Sequence, residues 1–295
     1  MTSAIRLNGT RRNQLGESPL WDHRTDRLYW VDSTAATICS SDAAGDDLRE
    51  WLAPLAVGSI ALAAGGLIAA LADGFYRFDP RQASFVCIVR PDLGPVPVRF
   101  NDGKADRQGR FLAGTMRPDT RPGTAARLFR LDPDGTATCL ESGFGLTNAI
   151  CFSPDGGTLY FADSHEGLVR AYDYDRATGT PSNRRTLIAT LPHGSVPDGA
   201  TVDAEGCLWI AMVQAQKLLR VSPAGQVLAE LPVPVPYPSC PAFGGPDLAT
   251  LYVTTIGQGI SLTTDDPDAG RMMAIGGLTA PGLPEAVCNF DEICA

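Results

Sequence analysis

Several features that mark other classes of protein are scarce or missing in this sequence. It has no run of Lys or Arg, and its formal net charge at pH 7 is −9. Such a chain offers no basic face to phosphates, which argues against a nucleic-acid-binding protein. No apolar run approaches the ~18 residues of a membrane span, and residues 1–15 lack the apolar segment of a signal peptide. The sequence therefore predicts a soluble, cytoplasmic protein without a membrane partner.

Cysteine pairs at the spacing of metal or redox motifs are also missing. The eight cysteines are scattered along the chain, and none forms a C-x-x-C motif. Since nothing indicates secretion, we expect most of them to be small buried hydrophobic residues rather than disulfide partners. A disulfide between Cys288 and Cys294 is left open.

No segment sustains a helical apolar period over three turns. Instead, a short apolar segment recurs six times at intervals of 39 to 49 residues, which is the period of a propeller blade built from four short strands. The six segments begin at Leu28, Leu67, Phe111, Leu159, Leu208 and Leu251. We therefore predict an all-β fold in which residues 1–295 form a single six-bladed β-propeller. Pairing of residues 3–8 with an extended segment at residues 287–290 is expected to close it.

One equivalent position lies ten or eleven residues before each apolar segment. In six successive blades this position is occupied by Glu17, the 57–58 region, Asn101, Asn148, Asp198 and Cys240. Blades are related by rotation about the central axis, so residues of one phase form a ring, which would lie at one mouth of the channel. Four of the six positions carry side-chain oxygens. The stretch 99–110 around Asn101 is predicted to be a polar loop that leads into the strand at Phe111.

Six short motifs resemble those of the SMP-30/gluconolactonase/regucalcin family, in the same order and over nearly the whole chain. They lie at residues 16–19, 99–104, 113–116, 148–156, 197–199 and 243–245. The resemblance implies a six-bladed propeller that holds one divalent metal ion and hydrolyses sugar lactones. Carried across residue by residue, it implies that Glu17, Asn148 and Asp198 bind the metal and that Arg99, Asn101 and Asp119 face the substrate. Asp119 stands where many members have a glutamate.

The metal ligands that the resemblance implies suit lactone hydrolysis. Two carboxylates and an amide oxygen, without His or thiolate, favour Ca²⁺, Mg²⁺ or Mn²⁺, and a catalytic Zn²⁺ site remains open. The metal would polarise the lactone carbonyl, and Asp198 would be the base that deprotonates the attacking water. Arg99 and Asn101 are two positions apart in extended chain and would face the same side, toward the hydroxyls of the substrate.

Simpler interpretations apply to single residues. Asn101, Asp102 and Gly103 are common in turns, as are Asp198 and Gly199, and only their shared phase favours a site. Lys104 is expected to pair with an acid, and Asp102 is expected to fix the loop by accepting hydrogen bonds from backbone N–H groups. The three histidines (His23, His165 and His193) fall in turns or loops outside the ring, and no G-x-S-x-G motif indicates a serine hydrolase.

The sequence thus predicts an aldonolactonase that acts on a small sugar lactone as a monomer or weak homo-oligomer. The alternatives are a non-catalytic propeller that binds a divalent ion or ligand, and a metal-dependent esterase or phosphotriesterase.

Overall fold

Each of the six apolar segments in the sequence is the second of four antiparallel strands in one sheet, and one of the six sheets gains a fifth strand. A computed structural model of the chain describes residues 3–259 and 262–290. Each sheet is one blade, and the first strand of each blade lies innermost, against the first strands of its neighbours. The prediction of an all-β, six-bladed propeller is confirmed.

The blades follow one another in chain order. Blade 1 contains β2 (Gly16–Asp22), β3 (Arg27–Asp32), β4 (Thr37–Ser41) and β5 (Arg49–Leu52). Blade 2 contains β6 (Val57–Ala63), β7 (Gly66–Leu71), β8 (Gly74–Asp79) and β9 (Ser84–Val89). Blade 3 contains β10 (Arg99–Ala105), β11 (Phe111–Met116), β12 (Ala126–Leu131) and β13 (Ala137–Phe144).

The second half repeats this pattern. Blade 4 contains β14 (Thr147–Phe152), β15 (Thr158–Asp163), β16 (Leu168–Asp175) and β17 (Thr180–Ala189). Blade 5 contains β18 (Pro197–Val202), β19 (Leu208–Met212), β20 (Lys217–Val221) and β21 (Val227–Pro232). Blade 6 contains β22 (Pro238–Gly244), β23 (Thr250–Thr255) and β24 (Arg271–Gly276), with β1 (Ala4–Arg12) as its outer strand. One 3₁₀ turn, Leu191–His193, precedes blade 5.

The stretch from Arg99 to Ala105 corrects one prediction. It is the innermost strand of blade 3, β10, whereas the sequence predicted a polar loop. This strand carries polar side chains that face the channel, such as Arg99 and Asn101, so it lacks the apolar run by which strands are recognised in a sequence.

Closure of the propeller also differs in part from the prediction. β1 pairs antiparallel with β24, because blade 6 has only three strands of its own and leaves that edge open. The predicted pairing of residues 3–8 with residues 287–290 is wrong. The short strand β25 (Val287–Cys288) instead runs parallel to β6 of blade 2. Burial of Cys288 and Phe290 between blades 2 and 3 holds it there.

Apolar side chains fill the spaces between blades. The described residues form six clusters, and each lies between one pair of neighbouring blades. Ile38 and Phe78, for example, belong to the cluster between blades 1 and 2. Five of the cysteines are buried, as expected: Cys39, Cys151, Cys207, Cys240 and Cys288. Cys294 lies outside the described residues, so the question of its pairing with Cys288 stays open.

The two faces of the propeller differ. On the front face the first strands begin and the second strands end; on the back face short turns join these strands. Residues 277–290 cross the back face, where the Pro281 carbonyl accepts a bond from the Ala204 amide at 2.8 Å. Glu285 pairs with Lys104 at 2.7 Å, which agrees with the expectation that Lys104 has an acidic partner. No helix in the described chain is long and apolar enough to span a membrane.

A β-bulge interrupts the first strand in every blade, near its front-face end. The register shifts lie between Glu17 and Leu20, and at the equivalent level of the other five first strands. A bulge changes the direction in which the next side chain points. The six bulges therefore lie at the level where the sequence predicted a ring.

Candidate metal and substrate site

A cavity of about 340 Å³ opens at the front end of the channel. Four of the ring residues line it: Glu17, Asn101, Asn148 and Asp198. Arg99, two positions before Asn101, also lines it. The structure therefore brings together five of the six residues that the sequence proposed for the site, from blades 1, 3, 4 and 5.

A chain of hydrogen bonds joins the amides on the floor of the cavity. Asn101 Nδ2 donates to Asn148 Oδ1 and to the Thr147 carbonyl, both at 2.9 Å. Asn148 Nδ2 donates to Ser164 Oγ at 2.9 Å, and Ser164 Oγ donates to the Pro197 carbonyl at 2.7 Å. The bonds run from blade 3 through blade 4 to the residue before Asp198, so they fix the relative positions of three site residues.

The two ring carboxylates lie in an unfavourable place for negative charge. Burial and the charge of Asp198 raise the pKa of Glu17 well above its ordinary value. Burial and the charge of Asp102 raise the pKa of Asp198 to about 8. Among the described residues, no hydrogen-bond donor or cation offsets the charge of the Asp198 carboxylate. A bound cation would relieve this repulsion.

Arg99 is the cation nearest to these groups. Burial lowers its pKa, while the charge of Glu17 acts in the opposite direction. Its Nη1 atom donates to the Phe100 carbonyl at 2.8 Å and lies 3.4 Å from Asn101 Oδ1. The guanidinium is therefore held by amide oxygens and retains donors for a ligand.

Asp102 is adjacent to the ring but has a structural role. Its Oδ1 accepts a bond from the Gly103 amide and its Oδ2 one from the Ile150 amide, both at 2.8 Å. It thereby joins blade 3 to blade 4. Burial raises its pKa to about 6. This placement agrees with the sequence-based interpretation of Asp102 as a residue that fixes the local backbone.

The chemistry of the donor set fits a hard divalent cation. No cluster of three or more His, Cys, Asp and Glu side chains forms a metal site in residues 3–259 and 262–290. Glu17 and Asp198 supply two carboxylates, and Asn148 could supply a third oxygen. Carboxylate and amide oxygens are the ligands of Ca²⁺, Mg²⁺ and Mn²⁺, and two carboxylates balance a charge of +2.

Asp119 lies apart from the other proposed site residues. It is outside the cavity lining, although the next residue, Thr120, contributes to that lining. Its carboxylate contacts Arg117 at 2.8 Å and Arg121 at 3.5 Å. These arginines lower its pKa. Contact between Asp119 and a substrate stays a prediction.

Sequence reasoning missed some residues of the cavity wall. His165 and Ser164 line it, as do Val213 and Ile256. Ser164, Val213 and Ile256 share one signal, since each directly follows the second strand of its blade. His193, predicted to be a solvated loop residue, lies 3.1 Å from Glu230 in a partly exposed contact.

Comparison with known proteins identifies the family of this chain. The sequence model of the SMP-30/Gluconolactonase/LRE-like region matches residues 15–257. Regucalcin from Xenopus laevis is 34% identical, over 92% of this chain and 93% of that protein.

Two solved structures share the fold closely. A luciferin-regenerating enzyme aligns with a TM-score of 0.90 and 29% identity, covering 97% of this chain and 99% of the other. Regucalcin from Agrobacterium tumefaciens, described as a calcium-binding protein, aligns with a TM-score of 0.89 and 26% identity, covering 96% and 97%. The similarity thus extends over essentially the whole propeller, and the chain belongs to the SMP-30/gluconolactonase/LRE-like family.

Proposed function

We propose that this protein is a divalent-metal-dependent hydrolase that opens aldonolactones to aldonic acids. Family membership supports a lactonase-type function or a regucalcin-like role. The observation that carries the proposal is the pair Glu17 and Asp198, two carboxylates in the lining of one cavity. Burial and a neighbouring carboxylate raise the pKa of each, the neighbour being Asp198 for Glu17 and Asp102 for Asp198. Pentono- and hexonolactones such as arabinonolactone, xylonolactone and gluconolactone are the proposed substrates.

In this proposal Glu17, Asn148 and Asp198 hold the metal. Bound there, Ca²⁺, Mg²⁺, Mn²⁺ or Zn²⁺ would supply a Lewis acid that polarises the lactone carbonyl. Ser164 holds Asn148 Nδ2, so Asn148 Oδ1 faces Asn101, from which it accepts one bond, and its second lone pair could bind the metal. The orientation of the Asn148 side chain is therefore fixed in part by Ser164, which follows the next strand of the same blade.

Asp198 acts as the general base. It accepts a proton from the attacking water, the water oxygen bonds to the carbonyl carbon, and the ring C–O bond then breaks. The ring oxygen leaves with a proton, which Asp198 can return.

Arg99 and Asn101 orient the substrate. Arg99 has donors left for the hydroxyls or the ring oxygen, and Asn101 lies beside it on β10. Their position next to the carboxylates supports contact with the reacting end of the lactone.

A regucalcin-like role without catalysis is the second candidate, because the same oxygens could bind a divalent ion without turnover. The Agrobacterium tumefaciens relative is described as calcium-binding. A pH-indicator assay separates the two roles. We expect gluconolactone, arabinonolactone or xylonolactone to be opened by the metal-loaded protein, and the activity to be lost with chelator and restored by one of the four metals.

Asp198→Ala should abolish this activity and weaken metal binding, since it removes a ligand and the base. A loss of at least about 100-fold in kcat is expected. Asp46→Asn, in an exposed turn between β4 and β5, is the matched control and should behave as the wild type. Metal binding without turnover of any lactone or ester would support the non-catalytic role. Near-normal turnover by Asp198→Ala would remove Asp198 from the mechanism.

A further inference from the structure

The wall of the cavity is chemically unlike its floor. Beside the carboxylates and amides, the lining contains many aliphatic side chains, together with the polar Thr120, His165 and Gln214. We name six of the aliphatic side chains the apolar collar: Leu15, Met116, Leu146, Val196, Val213 and Ile256. They come from blades 1, 3, 4, 5 and 6, so the collar surrounds most of the opening.

The collar follows from the register of the first strands. Leu15, Leu146 and Val196 each precede a ring residue by two positions, and in extended chain residues two apart point to the same side. Arg99 occupies the same position in blade 3. The wall at this level is therefore aliphatic in blades 1, 4 and 5 and cationic only in blade 3.

A ligand filling this cavity would meet two environments. Hydroxyl groups placed against aliphatic walls lose hydrogen bonds to water without replacement, which costs free energy. Methylene groups in the same place leave water favourably. A substrate whose reactive end is polar and whose opposite end is aliphatic satisfies both parts of the cavity.

We propose that the site also hydrolyses lactones that carry an aliphatic substituent on the ring, and that it favours them over unsubstituted lactones. This inference rests on the proposed lactonase function. The ester group lies at the floor, beside Glu17, Asp198 and Arg99, and the substituent lies against the collar. The reaction is the same: water adds to the carbonyl carbon, the ring C–O bond breaks, and the ring oxygen takes a proton, giving a hydroxy acid without any redox change.

A homologous series of lactones tests the inference. The substrates are γ-butyrolactone, γ-valerolactone, γ-hexalactone and γ-octalactone, with gluconolactone measured in parallel on the metal-loaded protein. We expect kcat/KM to rise along the series by about two- to fourfold per added methylene, the upper limit corresponding to ~0.8 kcal/mol per buried methylene.

Variants connect this dependence to the collar. Leu146→Asn and Val196→Thr keep the number and branching of the side-chain heavy atoms and add polarity. In each, the ratio of kcat/KM for γ-octalactone to that for γ-butyrolactone should fall several-fold. Two independent positions guard against one variant failing to fold, and thermal midpoints check both. Leu228→Asn, exposed on β21, is the control and should keep the wild-type ratio.

Each outcome decides the matter. The inference is supported if kcat/KM of the wild type rises with the length of the substituent and this rise is smaller in both collar variants. A flat or falling series alongside gluconolactone hydrolysis overturns it and leaves the proposed function standing. A rise that persists in both variants also overturns it, because the collar would not be the cause. If neither gluconolactone nor any γ-lactone is opened, the proposed function and this inference both fail.

Discussion

Asn148 Nδ2 donates a hydrogen bond to Ser164 Oγ, at a distance of 2.9 Å, across two strands of one blade. Ser164 is itself held by its bond to the Pro197 carbonyl in the next blade. The serine therefore connects a proposed metal ligand to the strand that carries Asp198. Both side chains are buried, so water does not compete freely for these bonds.

Ser164→Ala should weaken metal binding about tenfold, because outer partners of metal ligands fix the orientation of those ligands. Calorimetric titration with the metal is the measurement. Ser164→Thr keeps a hydroxyl and should recover most of the affinity. Ser142→Ala removes an exposed hydroxyl on β13 and serves as the control. Unchanged affinity in Ser164→Ala would show that the amide keeps its orientation without the serine.

Asn101→Ala should separate substrate positioning from metal binding. Loss of a hydrogen bond to substrate or transition state is worth about 1–3 kcal/mol, so kcat/KM should fall about five- to 150-fold. Metal affinity should stay largely intact, because Asn101 is not itself a proposed ligand and Asn148 keeps its bond to Ser164 in this variant. Calorimetry on the same variant checks this, and a loss of metal binding would make Asn101 a ligand.

The raised pKa of Asp198 predicts how the metal-free protein responds to pH. The folded chain holds a proton on this carboxyl up to about pH 8, whereas the unfolded chain loses it near its ordinary pKa of about 4. Between these values the folded state binds more protons, so the free energy of unfolding decreases as pH rises. Metal must displace the proton, so metal affinity should increase over the same interval.

Thermal midpoints in chelator, measured from about pH 5 to about pH 8, test this sign. Asp198→Asn cannot titrate, so the pH dependence of its midpoint should be flatter than that of the wild type. An equally steep decline in the variant would assign the effect to other groups, such as Glu17.

The charge balance of the cavity predicts a preference for neutral lactones. Glu17 and Asp198 balance a divalent ion, and Arg99 is the cation beside them, while Arg117 and Arg121 at the rim contact Asp119. Gluconolactone should therefore be hydrolysed at least about tenfold faster than 6-phosphogluconolactone, measured as kcat/KM under matched conditions. Asp119→Asn should narrow this ratio by releasing the rim arginines. A wild-type preference for the phosphorylated lactone would contradict the argument.

The repeat could be recognised in the sequence because the apolar segments of successive blades begin at similar intervals, 39 to 49 residues apart. The apolar segments beginning at Leu28 and Leu159 are β3 and β15, and the other four are likewise second strands. These strands are buried on both faces, so their apolar character is continuous and visible in the sequence. The residues at ring phase follow from the same spacing, since rotation about the axis brings equal phases together.

The errors have a physical cause as well. Arg99–Ala105 was predicted to be a loop because a strand that lines a polar channel contains polar residues. The strand partners that close the propeller were misassigned. The sequence indicates that segments near both chain ends are extended, but it does not indicate which exposed sheet edge each segment pairs with. β1 completes blade 6, whereas β25 adds a fifth strand to blade 2.

The amino-acid sequence by itself determined that this protein has six blades and that oxygen-bearing side chains occur at one phase of four of them, because both properties repeat at a readable interval. Only the tertiary structure decided which way those side chains point. Asp102 turns to the Ile150 amide while Asp198 faces the cavity, and Asp119 turns to Arg117. The direction of each side chain depends on bulges and on contacts between residues distant in the chain. Neither repeats at a regular interval, so neither can be read from the sequence.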